Sequence, residues 1–308
     1  MIKRIIGAVA VAAAVSVTGN PAFAEEVFVP HLSGVNGGAV TGAVPDEGLF
    51  FINTTSVVSG SSFDTHGNST STHVTAFVDI PELAWAPGIK VLGANYLMAI
   101  AEPLDYTSLT GIGGTNSGFG SGGAFATVIT PARLSWSLPG DFYIAARTDI
   151  YIPDGGYSNP ITHTVGNITS LDQFVFEPSL ALSWLHDGWN VSLKAYTDVN
   201  LQNMDNNYQS GDVFGTEETV AKTFGKWTLG VTGFTQNQIT NDTGSDVALI
   251  NGAQAALDGH NITNYGVGPL FGYNFGNVIF TAWYNETFGT VNGTGGGLFF
   301  TSITIPLK

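Results

Sequence analysis

Residues 173–198 read QFVFEPSLALSWLHDGWNVSLKAYTD, and this stretch decides the fold. Phe174, Phe176, Pro178, Leu180, Leu182 and Trp184 fall on one face of an extended chain. Gln173, Glu177, Ser179, Ala181 and Ser183 fall on the other. After His186-Asp187-Gly188 the alternation resumes, with Trp189, Val191, Leu193, Ala195 and Thr197 against Asn190, Ser192, Lys194, Tyr196 and Asp198. Successive side chains of a strand point to opposite faces, and Asp-Gly is a tight-turn signal, so the stretch predicts a β-hairpin. One face is rich in Phe, Leu and Trp, while the other carries ionisable groups in mid-strand. The alternative is a large soluble β-sandwich or β-helix, whose core would not tolerate charges on an inner face, although a solvent face would. A wall between lipid and a polar lumen requires them to be sorted this way.

Working outward, Ala124 to Trp136 and Phe142 to Tyr151 show the same period around a Leu138-Pro139-Gly140-Asp141 turn. In the first, Val128, Ala132, Leu134 and Trp136 are expected on the apolar face, opposite Thr127, Arg133 and Ser135. Weaker examples are Gly48 to Val58, His73 to Leu83, Lys90 to Ala101, Val213 to Phe224, Lys226 to Gln238, Asn264 to Phe275, Val278 to Phe288 and Gly297 to Leu307. The expectation is an all-β, transmembrane, antiparallel up-and-down barrel of about 12 strands over residues 48–308. Short turns near 87–89, 138–141, 186–188, 225 and 275–277 alternate with long stretches at 59–72, 102–123, 152–172, 199–212, 239–263 and 289–296. That asymmetry is the habit of outer-membrane barrels. Trp85, Trp136, Trp184, Trp189, Trp227 and Trp283 lie at expected strand ends, as an interfacial aromatic girdle would.

Composition points the same way. Hydrophobic residues make up 44% of the 308 residues and charged ones only 11%, where about a quarter is usual for soluble domains. There is no cysteine. The start, Met1-Ile2-Lys3-Arg4, then the apolar run Ile5 to Val17, then Gly19-Asn20-Pro21-Ala22-Phe23-Ala24, has the three parts of a secretory signal peptide, expected to be cut after Ala24. No later apolar run is long enough for a transmembrane helix. Without Lys3 and Arg4, seven of the nine bases remain against 24 acids, a net charge of −17. Such an acidic chain is a poor nucleic-acid binder. Residues 25–47, with Gly34, Gly37, Gly38 and Gly42, show no strand period and are read as a periplasmic tail or a plug in the barrel mouth.

Catalytic chemistry finds little support. The histidines His31, His66, His73, His163, His186 and His260 are scattered, each read as a solvated loop residue except His73, which opens a strand. No G-x-S-x-G elbow is present, and no His/Cys cluster has zinc spacing. Asp205-Asn206-Asn207 and Asn241 to Asp246 lack the spacing and closing Glu of a calcium loop. No catalytic residue, metal or cofactor is expected. The candidate lumen-lining residues are Arg133, Arg147, Asp149, Glu177, Lys194 and Asp198, a ladder of mixed sign that can brace the wall or select what passes.

The order of several short motifs resembles the outer-membrane family of "meta-pathway of phenol degradation" proteins. They are Pro45 to Asn53 (PDEGLFFIN), Pro139-Gly140, Pro153 to Tyr157 (PDGGY), Phe176 to Leu180 (FEPSL), Trp189 to Asp212 ending in NYQSGD, Lys226 to Gly230 (KWTLG) and Gly268 to Tyr273 (GPLFGY). The turn PDGGY has Asp154 where that family is expected to have Thr or a small residue, and the glycine-rich stretch 111–123 is also unusual. The resemblance implies a barrel in the outer membrane, linked to handling aromatic or other hydrophobic compounds, with no catalytic residues to carry over. The expected partners are outer-membrane lipid and a small hydrophobic or aromatic solute. A structural or adhesive barrel and a barrel-embedded hydrolase are the alternatives. Solute identity, direction of transport and oligomeric state stay open.

Overall fold

The computed structural model describes residues 29–116, 118–155, 170–171, 173–203, 207–244 and 261–307. The expected signal peptide, His163 and His260 lie outside them. Twelve antiparallel strands close into a barrel. In chain order they are β1 Gly48–Phe63, β2 Ser69–Ala86, β3 Ala94–Ala101, β4 Thr127–Leu138, β5 Phe142–Ile152 and β6 Val175–His186. The second half is β7 Trp189–Asn200, β8 Val213–Phe224, β9 Trp227–Gln238, β10 Thr263–Asn274, β11 Ile279–Val291 and β12 Thr294–Pro306. Each pairs with its sequence neighbours, and β12 returns to β1 with register Phe50↔Pro306 through Ser62↔Thr294. Closure leaves the wall without open edges at membrane depth, which hydrocarbon demands because it cannot hydrogen-bond to backbone.

Burial is inverted relative to a soluble sheet. Along β6, Phe176, Leu180 and Leu182 are exposed, Leu180 by 62%, while Glu177 and Ser183 are fully buried. Along β7, Trp189, Val191 and Leu193 are exposed and Ser192, Lys194 and Asp198 are buried. Apolar side chains therefore face outward and polar ones inward. Trp85, Trp189 and Trp227 stand exposed beside short turns.

The structure departs from the sequence reading in six places. Two expected long loops are strand: β1 and β2 continue until only 64–68 separate them, and β11 and β12 until only 292–293 do. Within the expected loop 102–123, Leu104–Thr110 pairs with β2 on one side and with Gly118–Ala124 on the other, continuing the wall between β3 and β4. Apart from Phe63 and Phe119 these extensions (SGSSF, GFGSGGA, TGGG) are Ser, Gly, Thr and Ala, so they carry no period-2 signal. Residues 90–101 are not one strand, because Lys90 and Val91 fold back on Asn95 and Ala94.

In β4 the register slips between Ile129 and Ala132, across Pro131. One extra residue reverses the facing of everything on one side of a bulge. Val128 is therefore buried against Ala101, Tyr151 and Val175, while Arg133 and Ser135 also point inward. The expected placing of Val128 with Leu134 and Trp136 is thus corrected. Finally, Trp283 does not join the girdle. It is 3% exposed, stacks on Phe300 at 5.0 Å, and faces the interior.

Candidate functional site

The interior is divided between a chain segment and a cavity. Residues 29–44 run against the inner wall, and their backbone is held by wall side chains. Arg133 on β4 donates from one Nη to the carbonyls of Val40, Thr41 and Ala43 at 2.8, 2.8 and 2.9 Å. Ser135 donates to Gly42 O at 2.8 Å, and Gly42 N donates to Ser183 Oγ at 2.8 Å. Gly38 N donates to Thr219 Oγ1 at 2.9 Å, and Trp283 Nε1 donates to Gly34 O at 2.8 Å. Buried backbone must find partners, and here the wall supplies them.

The glycines of the segment let it lie this close. A Cβ on Gly42 would stand 2.5 Å from Ser183 N and 2.6 Å from Tyr143 O, and one on Gly37 would enter the Trp283 indole.

His31 anchors the start of the segment. Its ring stacks on Tyr196 at 3.9 Å. Its Nδ1 donates to Glu177 Oε2 at 2.9 Å, and its Nε2 lies 3.3 Å from Glu217 Oε1. Burial alone would drive this imidazole neutral, but the Glu177 and Glu217 carboxylates outweigh burial and the repulsion of Lys194, lifting it to about 9. The expectation that His31 is a solvated loop residue is overturned, because the residue is 4% exposed. The exposed His186 instead meets Asp141 at 2.8 Å beside its turn.

The six candidate residues fall into two neighbouring groups. Glu177 accepts from Lys194 at 2.7 Å and from Tyr151 at 2.7 Å as well as from His31. Asp198, fully buried, is turned towards the His31 backbone N–H without a well-formed hydrogen bond to either carboxylate oxygen. Arg147 holds Asp149 at 2.7 Å and also donates to Thr130, whose hydroxyl donates to Asp149. Arg133 pairs in register with Arg147 on the next strand.

Sequence reasoning missed Glu217, Glu82 and His31. Glu217 could have been found, since it alternates with Val213, Gly215, Thr219 and Ala221 on the inward face and pairs in register with Lys194.

Beside the segment lies a cavity of about 700 Å³. Arg133, Arg147, Asp149 and Lys194 border it, whereas Glu177 and Asp198 are buried behind and do not. Much of its wall is apolar, including Ile52, Val74, Val78, Ile80, Phe125 and Leu298. Its lining extends from Thr228, Asn274 and Ile279 near the short-turn ends of their strands to Asn264 and Thr294 near the opposite ends. Among the described residues no group of three or more His, Asp or Glu could hold a metal ion.

An outer-membrane channel from Pseudomonas putida F1 shares the fold, with a TM-score of 0.70 and 12% identity over 86% of this chain and 97% of that one. A FadL homologue from Pseudomonas aeruginosa is matched over 92% of this chain and 100% of its own, with a TM-score of 0.46 and 11% identity. No curated protein sequence matches the chain. The sequence matches a family described as "Putative MetA-pathway of phenol degradation" across residues 59–303. With that match covering most of the chain and all of the barrel strands but the greater part of β1 and the end of β12, the chain belongs to this family.

Proposed function

We propose that the barrel is a passage across the outer membrane for small, mainly hydrophobic molecules, acting without a catalytic step or cofactor. The observation that carries this reading is the cavity of about 700 Å³, largely apolar, whose lining reaches both ends of the strands. Ligand pockets of such size and character suit small apolar molecules with a few polar groups to orient them. Family membership and the fold of the Pseudomonas putida channel support the same reading. Residues 29–44 act in it as a plug that narrows the lumen, because they occupy the polar side of the interior.

The test is flux into vesicles with a lipopolysaccharide outer leaflet, which resists hydrophobic solutes. The intact barrel should carry a neutral alkylbenzene faster than protein-free vesicles. Deleting residues 29–44 should raise ion conductance several-fold while heat-modifiable barrel migration on gels persists. Flux equal to protein-free vesicles would sink the passage reading, and unchanged conductance would sink the plug.

A further inference from the structure

The outer face of the wall carries an acid at membrane depth that has no partner. Along β8, Glu217 is turned inward and buried, so Glu218 faces out with Phe214, Thr216 and Val220. It stands six residues from Phe224 and four from Phe214, both exposed. Aromatic side chains mark the two membrane interfaces, so the acid lies between them. Ionisable groups at that depth normally turn to the interior or pair with one another. Asp79 and Glu286 also face outward in mid-strand, and each has partners. Asn53 and Thr55 donate to Asp79 at 2.7 and 2.9 Å, and the Tyr284 hydroxyl donates to Glu286. Among the described residues Glu218 makes neither a hydrogen bond nor an ion pair.

Its side chain borders a groove of about 360 Å³ on the lipid-facing surface. Glu218 pairs in register with Gly233, and Gly233 with Val267. Gly233 keeps the space under the carboxylate open, since a Cβ there would stand 3.1 Å from Glu218 Oε2. Val220, Val231 and Val267, all exposed, form the sides of the groove. Tyr265 and Phe288, with rings 5.9 Å apart, line its far end. The Thr235 hydroxyl on the same surface is already engaged with Thr216 at 2.8 Å. The groove is thus apolar with one anionic edge.

Its occupant must bring apolar surface and a positive charge together. A neutral hydrocarbon would leave the carboxylate unpaired, and an anion would be repelled by it. A calcium ion needs about six or more oxygens, and one free carboxylate does not supply them. A second copy of the chain brings no cation to this depth. Among the described bases, Arg133, Arg147 and Lys194 are engaged inside the barrel, and Lys222 is held by Asp187 at 2.9 Å. Lys90 and Lys226 stand beside short turns. The bilayer can supply the charge, and an ion pair gains strength where water is scarce.

We propose that the groove docks a hydrophobic amine from the surrounding membrane, with its ammonium on Glu218 and its apolar body along Val220, Val231 and Val267. The site lies outside the lumen and is independent of the passage reading.

Three probes sharing one diazirine-bearing dodecyl chain test this on the full chain in dioleoylphosphatidylcholine vesicles: the amine, the alcohol and the sulfate. Photolabelling is mapped by mass spectrometry. It is taken as the ratio of labelling at 218–235 and 265–288 to labelling at 174–199 on the apolar face of β6 and β7, so that differences in partitioning cancel. The ratio should be about tenfold higher for the amine than for the alcohol, and lowest for the sulfate. Glu218→Gln should bring the amine down to the alcohol. Val231→Trp, which fills the groove and keeps the carboxylate, should do the same, and it serves if Glu218→Gln fails to give a heat-modifiable barrel. Equal ratios for amine and alcohol would overturn the proposal. So would an amine excess that survives both substitutions, because the cation would then sit elsewhere. A disulfide joining two chains that carry Val231→Cys in vesicles without probe would overturn it in favour of self-association.

Discussion

The two sides of the barrel interior differ in what they can offer a neighbour. From β4 through β9 the wall presents Arg133, Ser183, Asn190, Glu217 and Thr219, and the segment 29–44 lies mainly against it. From β1 and β2 it presents Ile52, Val58, Val74, Ala76, Val78 and Ile80, and there the cavity opens. An inserted chain brings backbone N–H and C=O groups that need partners, and each left unmade costs about 1–3 kcal/mol. The polar side supplies those partners and the apolar side cannot. The wall's own chemistry therefore decides which half of the lumen is filled by protein and which is left as cavity. The apolar side meets the segment through side chains instead: Leu32 and Val35 pack by Leu270, Leu298 and Phe300, Val44 packs by Ala84 and Leu97, and Trp283 on β11 adds an indole N–H.

The strongest way to break this division is at Glu177. Glu177→Gln leaves Lys194 and His31 buried with a weakened partner, and such a break costs about 3–5 kcal/mol. Urea unfolding in detergent should show that loss, and an unchanged midpoint would mean the polar side does not depend on its charges. On the outer face of the same strand, Leu180→Arg should cost about 2–4 kcal/mol if Leu180 sits near the bilayer midplane. A neutral result in lipid would mean that water wets that face.

His31 sharpens the comparison through pH. Its folded value of about 9 lies above the ordinary 6.5, so its contribution to docking is complete below about pH 6.5 and is lost as pH rises through 9. The groups that face it are Glu177 on β6, Lys194, Tyr196 and Asp198 on β7, Glu217 on β8 and Gln236 on β9. Labelling of a cysteine placed at Ser33, taken relative to the same cysteine in the denatured chain at each pH so that thiol ionisation cancels, should be slow at pH 7 and faster at pH 10. In His31→Phe, which preserves the stack on Tyr196, the pH dependence should vanish; if it persists, another group titrates. The smallest effect is expected from Trp283→Phe, which keeps the Phe300 stack and loses one hydrogen bond, about 1 kcal/mol by urea unfolding.

How much of this was legible follows from what each residue faces. Between Phe174 and Asp198 one side meets lipid and the other the lumen, so the alternation could be read directly, and the turn at Asp187-Gly188 is where it was expected. The strand extensions Ser59–Phe63 and Gly118–Ala124 have no such contrast between faces, and their Ser and Gly residues resemble loop. The bulge at Ile129–Ala132 could not be read from periodicity, because it interrupts the period itself. Among the site residues, Arg133, Arg147, Asp149 and Lys194 were found because they stood in clear strands. Glu82 and Glu217 stood in segments whose faces were less distinct. His31 carried no strand signal at all, since its importance depends on partners 146 and 186 positions away.

Those separations bear on how the protein assembles. Gly34 meets the Trp283 side chain 249 residues later, and Gly42 meets Ser183 at a distance of 141. Until β4 through β11 have come together, the segment has no surface on which to settle, so its seating is the closing act of folding although it precedes the wall in the chain. Refolding followed by tryptophan fluorescence should accordingly show the barrel signal first and the change at Trp283 as a later, separate phase.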